Sequence, residues 1–257
     1  MGRLPTRAIL TYHSLDHSGS VLSTPPGTFA EQMRVLFELG VPVVGLNELR
    51  QAVRGASAAQ DLVAVTFDDG FRSVYEHALP VLQRYGFPAT VFLVTNYCGR
   101  TNGWPTQPIH VERRALFGWA EVKEMSRAGI GFGSHTRTHP DLTTLAGRQA
   151  KEELVASKQT IEDAIGRPVE ALAYPYGACD ARVKHLAQAH FRLACSTRLG
   201  LLGSGSDLFA LERLDMYYLR GPVLLRRLFS GGLGTYLCLR RALRACRGRL
   251  PGWPGWR

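Results

Sequence analysis

Short β-branched, apolar runs alternate with helical patterns along most of this chain, and few architectures accept that alternation. Strand-like runs stand at Ile9–His13, Val41–Val44, Val63–Phe67, Ala89–Val94, Gly131–Ser134, Ala171–Tyr174, Leu193–Ser196 and Leu211–Met216. Helical patterns lie near Leu46–Val53, Ser73–Tyr85, Trp119–Arg127, Leu145–Ile165 and Asp180–Ala189. One more starts at Thr28, where Thr28-Phe29-Ala30-Glu31 has the form of a capping box. Gly86, Gly129 and Gly166 each follow a helical run, where a C-terminal stop belongs. Strands alternating with helices predict a parallel sheet, and seven or eight strands suggest closure into a barrel. An open doubly wound sheet is the weaker alternative, because it does not easily bring first-strand and last-strand residues together.

The chain has 257 residues and 45% apolar content, which suits one large α/β domain over residues 1–220 with a basic amphipathic helical tail over 221–257. No apolar run is long enough to span a bilayer, and the N-terminus lacks the apolar core of a secretory signal, so a cytoplasmic setting is expected. Five scattered cysteines, an odd number without CxxC spacing, argue for reduced thiols rather than a zinc–thiolate site.

Chemistry gathers at predicted C-terminal strand ends. The run Val63-Ala64-Val65-Thr66-Phe67 ends abruptly in Asp68-Asp69-Gly70. Adjacent carboxylates cost stability unless a cation or a proton holds them. Far downstream comes Ser134-His135-Thr136-Arg137-Thr138-His139, which Pro140 and the glycine-rich strand before it place on a loop. Two imidazoles and one carboxylate suit Zn²⁺ and related divalent ions, and three protein ligands leave positions open for water and substrate. Asp69 is assigned as the carboxylate ligand beside His135 and His139, with Asp68 off the ion as a general base. The bland alternative is a surface turn and two unrelated histidines. His13, Tyr174-Pro175-Tyr176 and Asp215 end other strands. In a (β/α) barrel, that end of the strands is the catalytic face. The polar, Gly/Pro-broken insertion Asn96–His110 overhangs the same face by position.

These segments resemble the polysaccharide deacetylase family (NodB-homology, carbohydrate esterase family 4). Thr66-Phe67-Asp68-Asp69-Gly70 matches its TFDDG motif. His135 to Leu142 matches H-[S/T]-x-x-H-P-x-L, and Ala173-Tyr174-Pro175-Tyr176-Gly177 matches the later part of R-x-P-Y-G. The likeness covers roughly Arg7–Met216. It implies a distorted (β/α)₇-type barrel that removes N-acetyl, or sometimes O-acetyl, groups from sugars. It implies Asp68 as base and Asp69, His135 and His139 as ligands of one divalent ion, zinc first among zinc, nickel, cobalt and iron. It also implies the Tyr176 backbone N–H as oxyanion donor. Two departures stand out. The arginine that pairs with the base in the family is Ala173 here, and Arg213 in Glu212-Arg213-Leu214-Asp215 is the expected substitute, with Asp215 in support. No histidine follows His190, so the general acid is assigned to His13 in Tyr12-His13-Ser14, as in the subgroup that deacetylates poly-N-acetylglucosamine. Trp104 and Tyr174 are the candidate sugar-contacting aromatics. Trp119, opening a helix, reads as core.

The expected function is therefore metal-dependent deacetylation of an N-acetylated glycan in polysaccharide biosynthesis. Another amide hydrolase on this fold and a catalytically silent glycan-binding barrel are the alternatives. The charge of +10 is concentrated at the end: after Arg220 come eight arginines and no acid. Leu233–Cys246 sets Tyr236, Leu239, Ala242, Leu243 and Cys246 at helical spacing, with Arg240, Arg241, Arg244 and Arg247 on the other side and Trp253 and Trp256 beyond. Such a helix fits either docking on an anionic membrane or packing on the barrel. Nucleic acid is disfavoured, since no recognised binding motif accompanies the charge.

Overall fold

The computed structural model describes residues 5–55, 60–108 and 111–247. In chain order the strands are β1 (Arg7–Tyr12), β2 (Ser14–Leu15), β3 (Ser23–Thr24), β4 (Leu62–Phe67), β5 (Thr90–Leu93), β6 (Gly131–Ser134), β7 (Ala171–Ala173), β8 (Leu193–Leu199) and β9 (Leu211–Asp215). The α-helices are α1 (Pro26–Glu38), α2 (Leu46–Arg54), α3 (Leu79–Tyr85), α4 (Trp119–Arg127), α5 (Gly147–Ile165), α6 (Ala181–His190), α7 (Pro222–Phe229) and α8 (Gly234–Arg247). Strands β1, β4, β5, β6, β7, β8 and β9 close a parallel barrel in that order, sealed by Leu10↔Leu214 and Thr11↔Asp215. β2 and β3 pair separately.

The two-residue side-chain period of a strand divides the work. Ala8, Leu10 and Tyr12 of β1, with Val63, Val65 and Phe67 of β4, belong to the large cluster shared with the surrounding helices. The alternate residues turn inward. Ile9, Ala64, Phe92, Ala173 and Cys195 form a second cluster with Leu46, Leu49 and Val53 of α2, which closes the barrel at its base. One step higher, Thr11 and Thr66 meet through their hydroxyls at 3.1 Å. One step above that come His13 and Asp68, at the mouth. The strand period therefore delivers apolar side chains to the floor and titratable ones to the opening.

Several boundaries differ from expectation for physical reasons. Val41–Val44 forms a single bridge, Val43↔Val63, rather than a strand, and Pro42 has no N–H to extend the pairing. The first helix begins at Pro26 behind Pro25, so Thr28 lies inside its first turn and makes no cap. The segment expected as one helix over Ser73–Tyr85 starts as a π-helical stretch, Val74–Ala78, before α3. Pro80 cannot donate to the preceding turn, which favours that widened geometry. The tail expected to be helical divides into two helices, α7 and α8; Gly221-Pro222 is a helix-start signal for the first, and Leu225, Leu228 and Phe229 repeat at its buried face.

The C-terminal segment is joined to the barrel rather than loosely appended. Leu225, Leu228, Phe229, Leu233 and Leu237 all enter the large core cluster. The Tyr236 hydroxyl donates to the Tyr218 carbonyl at 2.7 Å, the Arg240 guanidinium lies 5.0 Å from the Tyr218 ring, and Arg241 reaches the Leu199 carbonyl and Glu212. Trp253 and Trp256 lie outside the described residues. Among the described residues no helix is long and apolar enough to cross a membrane.

Candidate metal centre

The loops after β4 and β6 deliver three buried donors to one point. His135 Nε2 and His139 Nε2 each lie 3.5 Å from Asp69 Oδ1, and 3.3 Å from each other. Ligands about 2.0–2.1 Å from an ion at tetrahedral angles would stand about 3.3–3.4 Å apart, so the spacing fits one small divalent cation. The chemistry of the donors fits as well. His135 Nδ1 sits 2.7 Å from the Ala173 carbonyl, which assigns its proton to Nδ1 and leaves the Nε2 lone pair facing Asp69. Burial pushes His135 down to about 4 and His139 well below its ordinary value, so both imidazoles are neutral. Burial, then the neighbouring Asp68 charge, raises the Asp69 carboxyl well above its usual range. A neutral pair of imidazoles around a carboxylate that resists ionisation is a site a cation would stabilise. Asp69, His135 and His139 are thus a potential metal site.

Backbone geometry places these groups. Among the described residues, four non-glycine residues have positive φ: Asp69 (71°), Thr136 (69°), His139 (60°) and Tyr176 (59°). All four sit around the centre. The left-handed region costs a side-chain-bearing residue of order 1 kcal/mol or more, and such residues gather at functional sites. Gly177 follows Tyr176 at φ 70°, and a Cβ there would lie 2.1 Å from Thr197 Oγ1 and 2.6 Å from its backbone nitrogen. Only glycine fits that turn as it stands.

Asp68, the second acid, is held in a different partnership. Arg213 of β9 forks it, with Nη1 to Oδ1 at 2.8 Å and Nη2 to Oδ2 at 2.7 Å, while Nε donates to the Ser196 carbonyl at 2.9 Å. Both side chains are almost wholly buried. Burial alone would raise the Asp68 carboxyl, but the guanidinium outweighs it and holds it well below the ordinary carboxylate range. Ala173 is buried in the inner cluster beside Cys195, so the charge absent from β7 arrives from β9. His13 stands on the open side of Asp68, Nε2 to Oδ2 at 3.9 Å, with its side chain 20% exposed. Burial lowers its pKa, and the charges of Asp68 and Asp215 oppose that shift. Barrel closure puts Asp215 opposite Thr11, which is how the last strand reaches the first.

The two aromatics assigned to substrate are both buried. Trp104 is 2% exposed, stacked on the His139 ring at 4.4 Å and edge-on to Tyr97 at 5.6 Å. Its face is occupied by the imidazole, so it backs the loop rather than receiving a sugar. Tyr174 is fully buried and its hydroxyl donates to the Phe209 carbonyl at 3.0 Å. It is a core residue, because the strand turns its side chain outward under the helices. Trp119 is partly buried against the core.

Two supporting residues carry no motif signal. Thr106 of the insertion donates from Oγ1 to the His139 carbonyl at 2.8 Å, and the Tyr176 hydroxyl reaches Thr106 O at 3.0 Å and Oγ1 at 2.8 Å. The insertion is thereby tied to both the His139 loop and the Tyr176 turn. Glu153 of α5 accepts from Arg137 N at 2.9 Å, Thr138 N at 2.8 Å and Thr138 Oγ1 at 2.8 Å. It grips the loop between the two histidines. Glu153→Gln replaces one acceptor by a donor facing these groups. It should weaken zinc affinity by about tenfold or more, as loss of outer support commonly does. Competition with a chromogenic chelator measures this, and unchanged affinity would remove Glu153 from that role.

A parallel barrel with an Asp/His/His cluster at the C-terminal mouth of its strands defines a barrel of the NodB type. The sequence profile of the polysaccharide deacetylase family matches residues 55–193, more than half of the chain, and the chain belongs to that family. It is 27% identical over 208 residues to the Bacillus subtilis (strain 168) polysaccharide deacetylase homologue YxkH, covering 80% of this chain and 70% of that one. It is 35% identical over 127 residues to the poly-β-1,6-N-acetyl-D-glucosamine N-deacetylase of Staphylococcus epidermidis, covering 45% of this chain and 40% of that protein. The matched region thus spans less than half the length of the staphylococcal enzyme. Among solved structures, the Streptococcus pyogenes deacetylase PplD with acetate superimposes with a TM-score of 0.76 at 23% identity, covering 88% of this chain and 99% of that one, a likeness of fold.

Proposed function

We propose that this protein is a metal-dependent N-deacetylase of an N-acetylated glycan, with poly-N-acetylglucosamine as the first substrate class. The observation that carries the reading is the pair of neighbouring acids in opposite environments. Asp69 faces two neutral imidazoles, while Asp68 is kept ionised by Arg213 and stands 3.9 Å from His13. Asp69, His135 and His139 would hold the ion, zinc first by donor type, with nickel, cobalt or iron as alternatives. Held there, a divalent ion supplies Lewis-acid activation of water and of the acetyl carbonyl. Asp68 accepts the proton of the attacking water, which requires a carboxylate that is ionised yet off the ion. The Tyr176 N–H serves the developing oxyanion from its left-handed turn. His13 hands a proton to the departing amine, releasing acetate and an amino sugar. Arg213 and Asp215 set the charge around base and acid. Support for the glycan comes from the staphylococcal relative and from the acid's position just past the end of the first strand.

The test is acetate release from N-acetylglucosamine oligomers with and without a chelator. Release that stops on chelation and returns with added zinc is the expected result. Release indifferent to the chelator would overturn the metal, and no release from any N-acetylated oligomer would overturn the substrate class.

A further inference from the structure

We infer that helix α8 docks this protein on an anionic lipid surface through a face that the barrel leaves uncovered. One side of α8 is spoken for: Leu237 and the preceding Leu233 are buried, Tyr236 donates to Tyr218, and Arg240 and Arg241 turn to the barrel. The apolar set read from sequence is therefore divided, since Tyr236 faces inward. What remains outward is Cys238, Leu239, Ala242 and Leu243, at helical positions i, i+1, i+4 and i+5, all exposed. Leu239 is 59% exposed and Leu243 44%, two of the few large apolar side chains left open among the described residues. This stripe lies in a stretch with eight arginines and no acid after residue 220, two of which, Arg244 and Arg247, follow within one turn in sequence.

The charge selects the occupant. A second copy of the chain pairing through this stripe would bring together two segments that each carry eight arginines and no acid after residue 220. A bilayer rich in anionic lipid complements that charge, while its acyl boundary accepts a two-turn apolar stripe. The helix would lie in the interface plane with its other face still on the barrel, because the contacts to Tyr218, Glu212 and Leu199 are made by different side chains.

Cosedimentation of the full chain with vesicles tests this, using phosphatidylcholine alone and phosphatidylcholine with about one-third phosphatidylglycerol. Binding is expected only to the anionic vesicles, weakening as salt shortens the reach of the charges. The double variant L239S/L243S should lose about tenfold or more in vesicle affinity. Its thermal melt and its acetate release from soluble oligomers should stay unchanged, because both positions are exposed and remote in contact from the centre. Equal binding by the variant, equal binding to neutral vesicles, or no binding to either would overturn the proposal. So would a dimer in solution that L239S/L243S dissolves, which would give the stripe to a second copy.

Discussion

Acetate release by Asp68→Asn is expected to fall by about 10²–10⁴-fold while bound zinc stays near one per chain, because a positioned proton acceptor contributes on that scale and Asp68 is not among the three donors. The substitution also removes the anion that Arg213 grips from both sides. Breaking a buried pair from one side leaves the other charge uncompensated, at about 3–5 kcal/mol. The variant should therefore melt lower, and the rate must be measured well below its midpoint. Zinc content by mass spectrometry and acetate release on the same sample separate the roles. Full turnover with zinc bound would take Asp68 out of the chemistry.

Arg213→Met attacks the same pair from the other side, and its expected signature differs. Both partners are buried, so the destabilisation should again reach about 3–5 kcal/mol. Asp68 then keeps its burial but loses the guanidinium that outweighs it, so its folded pKa rises. In the parent protein the depressed pKa keeps the carboxylate ionised down to low pH, and the pair's stability is present in full above the ordinary carboxylate range and lost progressively as pH falls from there through the depressed value. In the variant the acid limb of the rate profile should move to higher pH, with recovery as pH rises. A profile that falls uniformly, without a shifted limb, would show that Arg213 holds the site together without tuning the base.

The barrel was legible because its strands announce themselves by composition, and the triad because Asp69, His135 and His139 all lie within a few residues of the C-terminal ends of two strands. Arg213 was reachable for the same reason: barrel closure makes the last strand a neighbour of the first, so a charge missing at Ala173 has a geometric substitute. What the chain did not disclose depends on long-range register. Glu153 sits in an amphipathic helix with other acids, and nothing local says that its carboxylate turns to the backbone of Arg137 and Thr138. Trp104 looked available because most of its neighbours are polar, yet a polar loop can fold a large ring inward onto an imidazole. The tail's apolar spacing was readable, but not which part of it the barrel would cover.

The left-handed backbone at Asp69, Thr136, His139 and Tyr176 has a consequence for anyone improving this protein. A selection that rewards heat resistance alone would be drawn to those positions, where a smaller or more permissive residue relaxes the chain at once. The hardened molecules it returned would keep the barrel and lose the machinery, since the tension it released is what aims the reactive groups.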